Sequence, residues 1–414
     1  MYPYKKAFSL LLILFLTASF SLLACNDVVK RVEKTEEKIH NTDPIETKLI
    51  LGAEQLEVLL PMLKDKNVGI TGNHSTLIGT VHLVDSLLAL KVAVKKVYSP
   101  EHGFRGDADA GEKVNSTVDS KTGLPIFSLY GKNKKPSNEM LTGIDVMIFD
   151  IQDVGARFYT YISTLHYVME ACAENNIQVI VLDRPNPNGY YIDGPILEKD
   201  YSSFVGMHPI PVVHGMTIGE YAKMINGEKW LKNKIQADLK VIPMLGYSHK
   251  DRYQLPVKPS PNLPNMDAIY LYPSLCFFEG TPISIGRGTD KPFQLFGHPS
   301  FKMYSFAFTP KPMYGAKDPR LKGVNCFGRL LTQDASRIKK EGMLDLQWLI
   351  DGYNQYSPKE EYFTNFFLLL AGTKQLEAQI KSGLSADEIR TSWKPGLEKF
   401  QKEVRSKYLL YEDF

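Results

Sequence analysis

Ile144-Asp-Val-Met-Ile-Phe149 runs directly into Asp150-Ile-Gln-Asp153, a short apolar segment ending in a turn of ionisable and amide side chains. Three further segments repeat the design. Asn67-Val-Gly-Ile70 leads into Thr71-Gly-Asn-His-Ser75, Ala93-Val-Lys-Lys-Val-Tyr98 into Ser99-Pro-Glu-His-Gly-Phe-Arg-Gly106, and Ile177-Gln-Val-Ile-Val-Leu182 into Asp183-Arg-Pro-Asn-Pro-Asn-Gly189. Short apolar runs bounded by turn signals read as buried strands. Helical patterns separate them at Leu56 to Leu63, at His82 to Leu90 and at Tyr159 to Asn175, where Ile162, Leu165, Val168, Met169 and Cys172 share one face. This rhythm predicts an α/β fold whose parallel sheet carries all four turns on its carboxyl edge, where open α/β sheets bind ligands. Asp and Asn are also ordinary caps and turn formers; four coincident turns favour a shared site.

The chain of 414 residues exceeds the usual length of one domain, and its 43% hydrophobic and 23% charged residues are ordinary for a globular protein. The rhythm covers residues 48–213 and changes after Phe204 to Val213, so a second domain is expected over 214–414. A net charge of +3 gives no footprint for nucleic acid. Lys5-Lys6 followed by the uncharged stretch Ala7 to Ala24 reads as an export signal over residues 1–25. It ends in Leu22-Leu-Ala-Cys25, which resembles the bacterial lipobox and makes Cys25 a lipid anchor in the cell envelope, with a leaning toward the periplasm and outer membrane. A plain transmembrane anchor is the competing reading. The polar, mixed-charge residues 26–47 read as a tether. Cys172, Cys276 and Cys326 are odd in number and widely spaced, against a disulfide framework or zinc site.

The turns bring forward Asn73, His74, Glu101, His102, Arg105, Asp150, Asp153, Arg157, Tyr159, Asp183, Arg184 and Asn186 as candidate site residues, with His214 at the start of the second domain. Glu101 lies between Pro100 and His102 in a turn loosened by Gly103, which suits a carboxylate aimed into a cleft, and is the leading acid/base candidate. Glu279 follows Phe277 and Phe278, whose rings would desolvate a general acid. Ser284-Ile-Gly-Arg-Gly-Thr-Asp-Lys291 is a glycine-rich turn in which Arg287, near Asp290, suits a carboxylate. It matches no nucleotide fingerprint, and no serine-hydrolase elbow or zinc-protease helix motif is present. Asp150, Asp153 and Asp183 with a histidine form an alternative metal-binding set.

The strings Ser99 to Gly106, Phe149 to Tyr161, Leu182 to Gly189 and Phe278 to Asp290 together resemble the NamZ-like exo-β-N-acetylmuramidase family over about residues 50 to 414. That resemblance implies a Rossmann-like N-terminal domain, a smaller C-terminal α/β domain, a cleft between them, and release of N-acetylmuramic acid from non-reducing ends of peptidoglycan oligosaccharides and disaccharides, without a cofactor. It also implies that Glu101 and Glu279 are the catalytic pair and that a cation meets the lactyl carboxylate, with Arg287 as candidate and Arg157 or Arg184 as rivals. Two such carboxyls act with inversion at about 6.5 to 9.5 Å separation or with retention at about 5 to 5.5 Å. Elimination within the sugar, helped by His102 or Tyr159, and capture of muropeptides without cleavage are the alternatives.

Overall fold

The computed structural model describes residues 48–101, 103–105 and 117–414. The export segment, Cys25, the tether and His102 lie outside the described residues. Leu49–Phe414 forms one compact unit.

Val68–Gly72 (β1), Val94–Ser99 (β2), Thr117–Val118 (β3), Pro125–Ser128 (β4), Val146–Asp150 (β5), Gln178–Leu182 (β6) and Leu239–Ile242 (β7) form a seven-stranded sheet in the order β3-β4-β2-β1-β5-β6-β7. Only β3 is antiparallel to its neighbour. Without it the parallel strands run 3-2-1-4-5-6 in chain order, the doubly wound arrangement, and the order reverses between β1 and β5. All four segments read as strands are strands. Every residue of β1 and β5 is buried. Val146 and Ile148 join Val68 and Ile70 in one core, whereas Met147 and Phe149 join Val179 and Val181 in the other, the period-2 signature of a strand covered on both faces.

Leu56–Leu63 (α1) and Leu83–Ala89 (α2) contribute to the smaller core, and Tyr161–Glu174 (α3) buries the expected stripe Ile162, Leu165, Val168, Met169 and Cys172 in the larger one. The sheet continues past residue 213, where the sequence places a boundary. Ile218–Gly227 (α4) starts at a Thr217 and Glu220 capping box and precedes β7, which pairs with β6 from Val179↔Leu239 to Leu182↔Ile242. Beyond it come Met266–Leu275 (α5), a three-stranded antiparallel sheet of Leu295–His298, Phe306–Phe308 and Cys326–Leu330, and Asp334–Glu341 (α6). A Ser385 and Glu388 capping box opens the helix Ala386–Lys399, which buries Ile389 and Trp393. Cys172, Cys276 and Cys326 are buried free thiols. No helix among the described residues is long and apolar enough to cross a membrane.

His82, just ahead of α2, ties the β1 turn to this helix. Its Nδ1 accepts the Val84 N–H at 3.2 Å and its Nε2 donates to the Asn73 carbonyl at 3.0 Å, a pair of contacts that requires the neutral ring. Burial pushes its pKa down to about 4. The unfolded chain therefore takes up a proton near pH 6.5 that the native state refuses, so stability is complete above that pH and is lost as pH falls toward 4. Between pH 7 and pH 5 this side chain alone is expected to cost about 2 kcal/mol. Urea denaturation of the wild type and His82→Gln at both pH values checks it: the variant should lose less by that amount, and equal losses would clear His82 of the effect.

Candidate active site

A cavity of about 580 Å³ opens where the chain leaves the carboxyl ends of the parallel strands. Glu101 follows β2, Tyr130 and Lys134 follow β4, and Phe158, Tyr159 and Tyr161 follow β5. The facing wall comes from beyond β7: Ser260, Asn262, Leu263, Tyr272, Glu279, Arg287 and Phe293. Sequence segments about 180 residues apart thus place the two candidate glutamates in one cleft, as an α/β sheet does at its switch point.

Tyr130 connects them. Its hydroxyl hydrogen-bonds Glu101, and its ionisation is pushed up first by burial, then by the Glu101 charge, with Glu279 adding to the effect and Arg287 opposing it. Glu279 sits on the turn Cys276–Gly280 at the end of α5. Phe277 and Phe278, expected beside its carboxyl, turn instead into the core, and what lies beside it is Arg287. The guanidinium donates to Glu279 Oε1 from Nε at 2.9 Å, its Nη2 lies 2.7 Å from the same oxygen, and it stacks on Phe293 at 4.9 Å. Burial alone would lower the pKa of Arg287, but the Glu279 charge and hydrogen bond more than offset it, for a net rise. Gly286 and Gly288, both at φ 81°, make the reversal that aims Arg287 back at this carboxylate. The glycine-rich turn does grip a carboxylate, and it is the protein's own.

The remaining candidates separate into supports and distant groups. Asn73 Nδ2 donates to the Tyr161 hydroxyl at 3.0 Å while its Oδ1 accepts from the Ser75 N–H and hydroxyl, and His74 Nε2 meets the Lys258 carbonyl at 2.7 Å. Both stand behind the cleft wall. Tyr159 lines the cleft, donates to the Pro259 carbonyl at 3.0 Å, and has its ionisation pushed well up by burial. Asp290 is exposed, and Arg105 pairs with Asp119 at 2.8 Å and Asp85 at 3.4 Å, outside the cleft lining.

Arg184 grips Asp150 through Nε at 2.5 Å and Nη2 at 2.8 Å, a two-pronged buried pair that spans β5 and the β6 turn. Asp183 accepts the Gly219 N–H, the Thr217 hydroxyl and the Tyr411 hydroxyl, so it anchors the start of α4 and the C-terminal tail; burial pushes its pKa up to about 6. Asn186 is held by Met216 and Asn188. Burial pushes Asp153 up to about 7 and His214, 3.9 Å away, down to about 3. Arg157, expected in substrate contact, is fully buried, and its Nη1 and Nη2 donate to the carbonyls of Pro195, Ile210, Leu370 and Ala371 at 2.7 to 2.9 Å. Apart from Asp150, whose carboxylate is held by Arg184, these side chains satisfy backbone groups that the turns leave open. Asp150, Asp153 and Asp183 have different partners, and no group of three His, Cys, Asp or Glu is placed to hold a metal among the described residues.

Tyr130, Lys134 and Phe204 line the cleft without having been singled out from the sequence. The signal was present in Leu124-Pro-Ile-Phe-Ser-Leu129, an apolar run that ends in a Tyr-Gly-Lys turn and proves to contain β4. Pro125 opens that strand, the position at which proline costs no ladder hydrogen bond.

The family description "Exo-beta-N-acetylmuramidase NamZ, N-terminal" matches residues 68–267, and its C-terminal counterpart matches residues 270–411. The chain belongs to the NamZ exo-β-N-acetylmuramidase family. The peptidoglycan beta-N-acetylmuramidase NamZ of Bacillus subtilis (strain 168) is 41% identical over 385 residues, 86% of this chain and 90% of that protein. Two crystal structures of DUF1343 family proteins from Bacteroides fragilis NCTC 9343 share the architecture. One has a TM-score of 0.83 at 48% identity and covers 89% of this chain and 100% of its own; the other has 0.74 at 30%, covering 88% and 99%.

Proposed function

We propose that the protein is an exo-acting β-N-acetylmuramidase that releases N-acetylmuramic acid from the non-reducing ends of peptidoglycan fragments, with Glu101 and Glu279 as its working carboxyls. The observation that carries this reading is their convergence on one cleft, around the Tyr130 hydroxyl, in a chain 41% identical to an enzyme of that name. Glycoside hydrolysis protonates the leaving oxygen while positive charge develops at the anomeric carbon. Glu101, oriented by Tyr130, moves the proton. Glu279, immobilised by Arg287, supplies a fixed negative charge beside the reacting carbon. Phe158, Tyr159, Tyr272 and Phe293 furnish the aromatic walls of a sugar pocket.

The lactyl carboxylate of the substrate needs a cation. Arg287 is engaged with Glu279, and Arg157 and Arg184 are engaged below the cleft. Lys134 also lines the cleft, its Nζ 4.3 Å over the Phe204 ring, and no carboxylate pairs with it among the described residues. A cation on a ring is positioned but not neutralised. Lys134→Met should therefore raise KM for a 4-nitrophenyl β-glycoside of N-acetylmuramic acid roughly ten- to a hundredfold, the worth of a charge-assisted hydrogen bond, with little change in kcat. The analogous N-acetylglucosaminide, lacking the carboxylate, should be indifferent to the change. Equal losses on both would remove Lys134 from carboxylate recognition.

Mass spectrometry of N-acetylmuramyl-β-1,4-N-acetylglucosamine incubated with the protein tests the reaction itself. Two saturated monosaccharides support hydrolysis, an unsaturated muramyl product would replace it with elimination, and intact disaccharide would leave a binding protein. We propose further that the mature protein is an envelope lipoprotein anchored through Cys25, supported by the Leu22-Leu-Ala-Cys25 string behind an uncharged segment; an unlipidated N-terminus in the intact mass of the mature chain would refute it.

A further inference from the structure

A second cavity, of about 550 Å³, shares a wall with the cleft. Residues 254–258 line it, whereas Ser260, Asn262 and Leu263 line the cleft. The wall is pinned by His74 and Tyr159, which hold the carbonyls of Lys258 and Pro259. Three cations reach the second cavity, and among the described residues none is paired with a carboxylate. Each lies instead against an aromatic ring: Arg252 Cζ is 3.5 Å from the centre of Tyr190, Lys339 Nζ is 5.4 Å from that of Tyr270, and Lys258 Nζ is 5.5 Å from that of Tyr314. Such stacking orders a charge and leaves it available.

Tyr190, the ring beneath Arg252, lies behind the cavity lining. Tyr190 is only 5% exposed, yet its hydroxyl finds no hydrogen-bond partner. It lies within electrostatic reach of Tyr270 and Arg252, which both bear on its ionisation after the larger effect of burial. Arg252 and Lys339, both in the cavity lining and each seated on a tyrosine ring, are a donor set for a carboxylate. Asp267 also lines the cavity and limits the charge it can take.

Peptidoglycan alternates its two sugars, so in a chain whose terminal muramic acid occupies the cleft the next carboxylate comes two residues later, on the side of the leaving group. We propose that the second cavity is an accessory subsite for the lactyl carboxylate of that second muramic acid, giving the enzyme a preference for longer glycans. This deepens the muramidase reading and rests on it.

The test compares first-sugar release from the peptide-free disaccharide and from the tetrasaccharide of two repeats. The wild type should favour the tetrasaccharide about tenfold in kcat/KM, mostly through KM. The double variant Arg252→Ala, Lys339→Ala should bring the ratio close to one with the disaccharide unchanged, as should reducing the inner carboxyl to an alcohol. A wild-type ratio near one, or one that survives the double variant, overturns the proposal. So does competition by polyglycerol phosphate in the absence of any tetrasaccharide preference, which would assign the cavity to phosphate polymers. If neither glycan is cleaved the muramidase reading fails, and calorimetric titration of the tetrasaccharide decides the subsite: binding weakened about tenfold in the double variant upholds it, and equal or absent binding overturns it.

Discussion

Glu101→Gln is expected to lower turnover of N-acetylmuramyl-N-acetylglucosamine by about 10² to 10⁴, the usual worth of a positioned acid or base. The amide keeps the volume of the side chain and an oxygen that accepts the Tyr130 hydroxyl, so only proton transfer is removed and the unfolding midpoint should stay put. A leaving group that needs no proton separates this loss from disturbed binding. On the 4-nitrophenyl glycoside the step assisted by the acid is already easy, and the variant should lose far less activity there than on the disaccharide. Both rates, with a denaturation curve, check the assignment. Undiminished turnover of the disaccharide by a folded Glu101→Gln protein would exclude Glu101 from proton transfer, and equal losses on the two substrates would recast it as a binding group.

Arg157→Met should destabilise the protein by about 3 kcal/mol while leaving kcat and KM within about twofold at temperatures well below melting. Two terms compete. Removing a buried guanidinium recovers the cost of holding it out of water, a cost visible in its pKa, pushed down to about 9 by burial. It also strands the carbonyls of Pro195, Ile210, Leu370 and Ala371, whose bonds to a charged donor are each worth about 1.5 to 3 kcal/mol. Four such bonds outweigh one desolvation, because methionine offers no replacement donor. Residues 195–210 and the helix Asn365–Ala371, which contribute Phe204, Phe366 and Leu369 to the cleft, are both held by this side chain. Chemical denaturation gives the stability change directly. An unchanged midpoint together with a raised KM would return Arg157 to substrate binding.

Arg157, Arg184 and Arg287 look alike in sequence, each beside glycine or an amide-rich turn on or facing the carboxyl edge. Their fates differ because a guanidinium is claimed by whichever acceptors the packed chain brings within reach, and those acceptors are distant in sequence: carbonyls of residues 370 and 371 for Arg157, the end of a neighbouring strand for Arg184. Glu279 illustrates the same limit. Its phenylalanine neighbours predict a desolvated carboxyl only if they share its direction, and on a tight turn after a helix successive side chains diverge. Lys134 carries a weaker sequence signal, because the strand that delivers it is four residues long and begins with proline.

The sequence by itself determined four strands of the main sheet, three of the helices packed on it, the parallel arrangement of those strands and the motifs that carry the family resemblance, because these follow from apolar periodicity, caps and turn chemistry acting over a few residues. The tertiary structure alone decided that the sheet runs on past residue 213 to β7, that the two glutamates meet across one cleft, that Arg287 serves Glu279, and that three buried aspartates hold strand ends and helix starts together. Those outcomes depend on which hydrogen-bond acceptors and apolar faces meet at long range. Such meetings are set by the free energy of the whole packed chain and leave no local pattern to read.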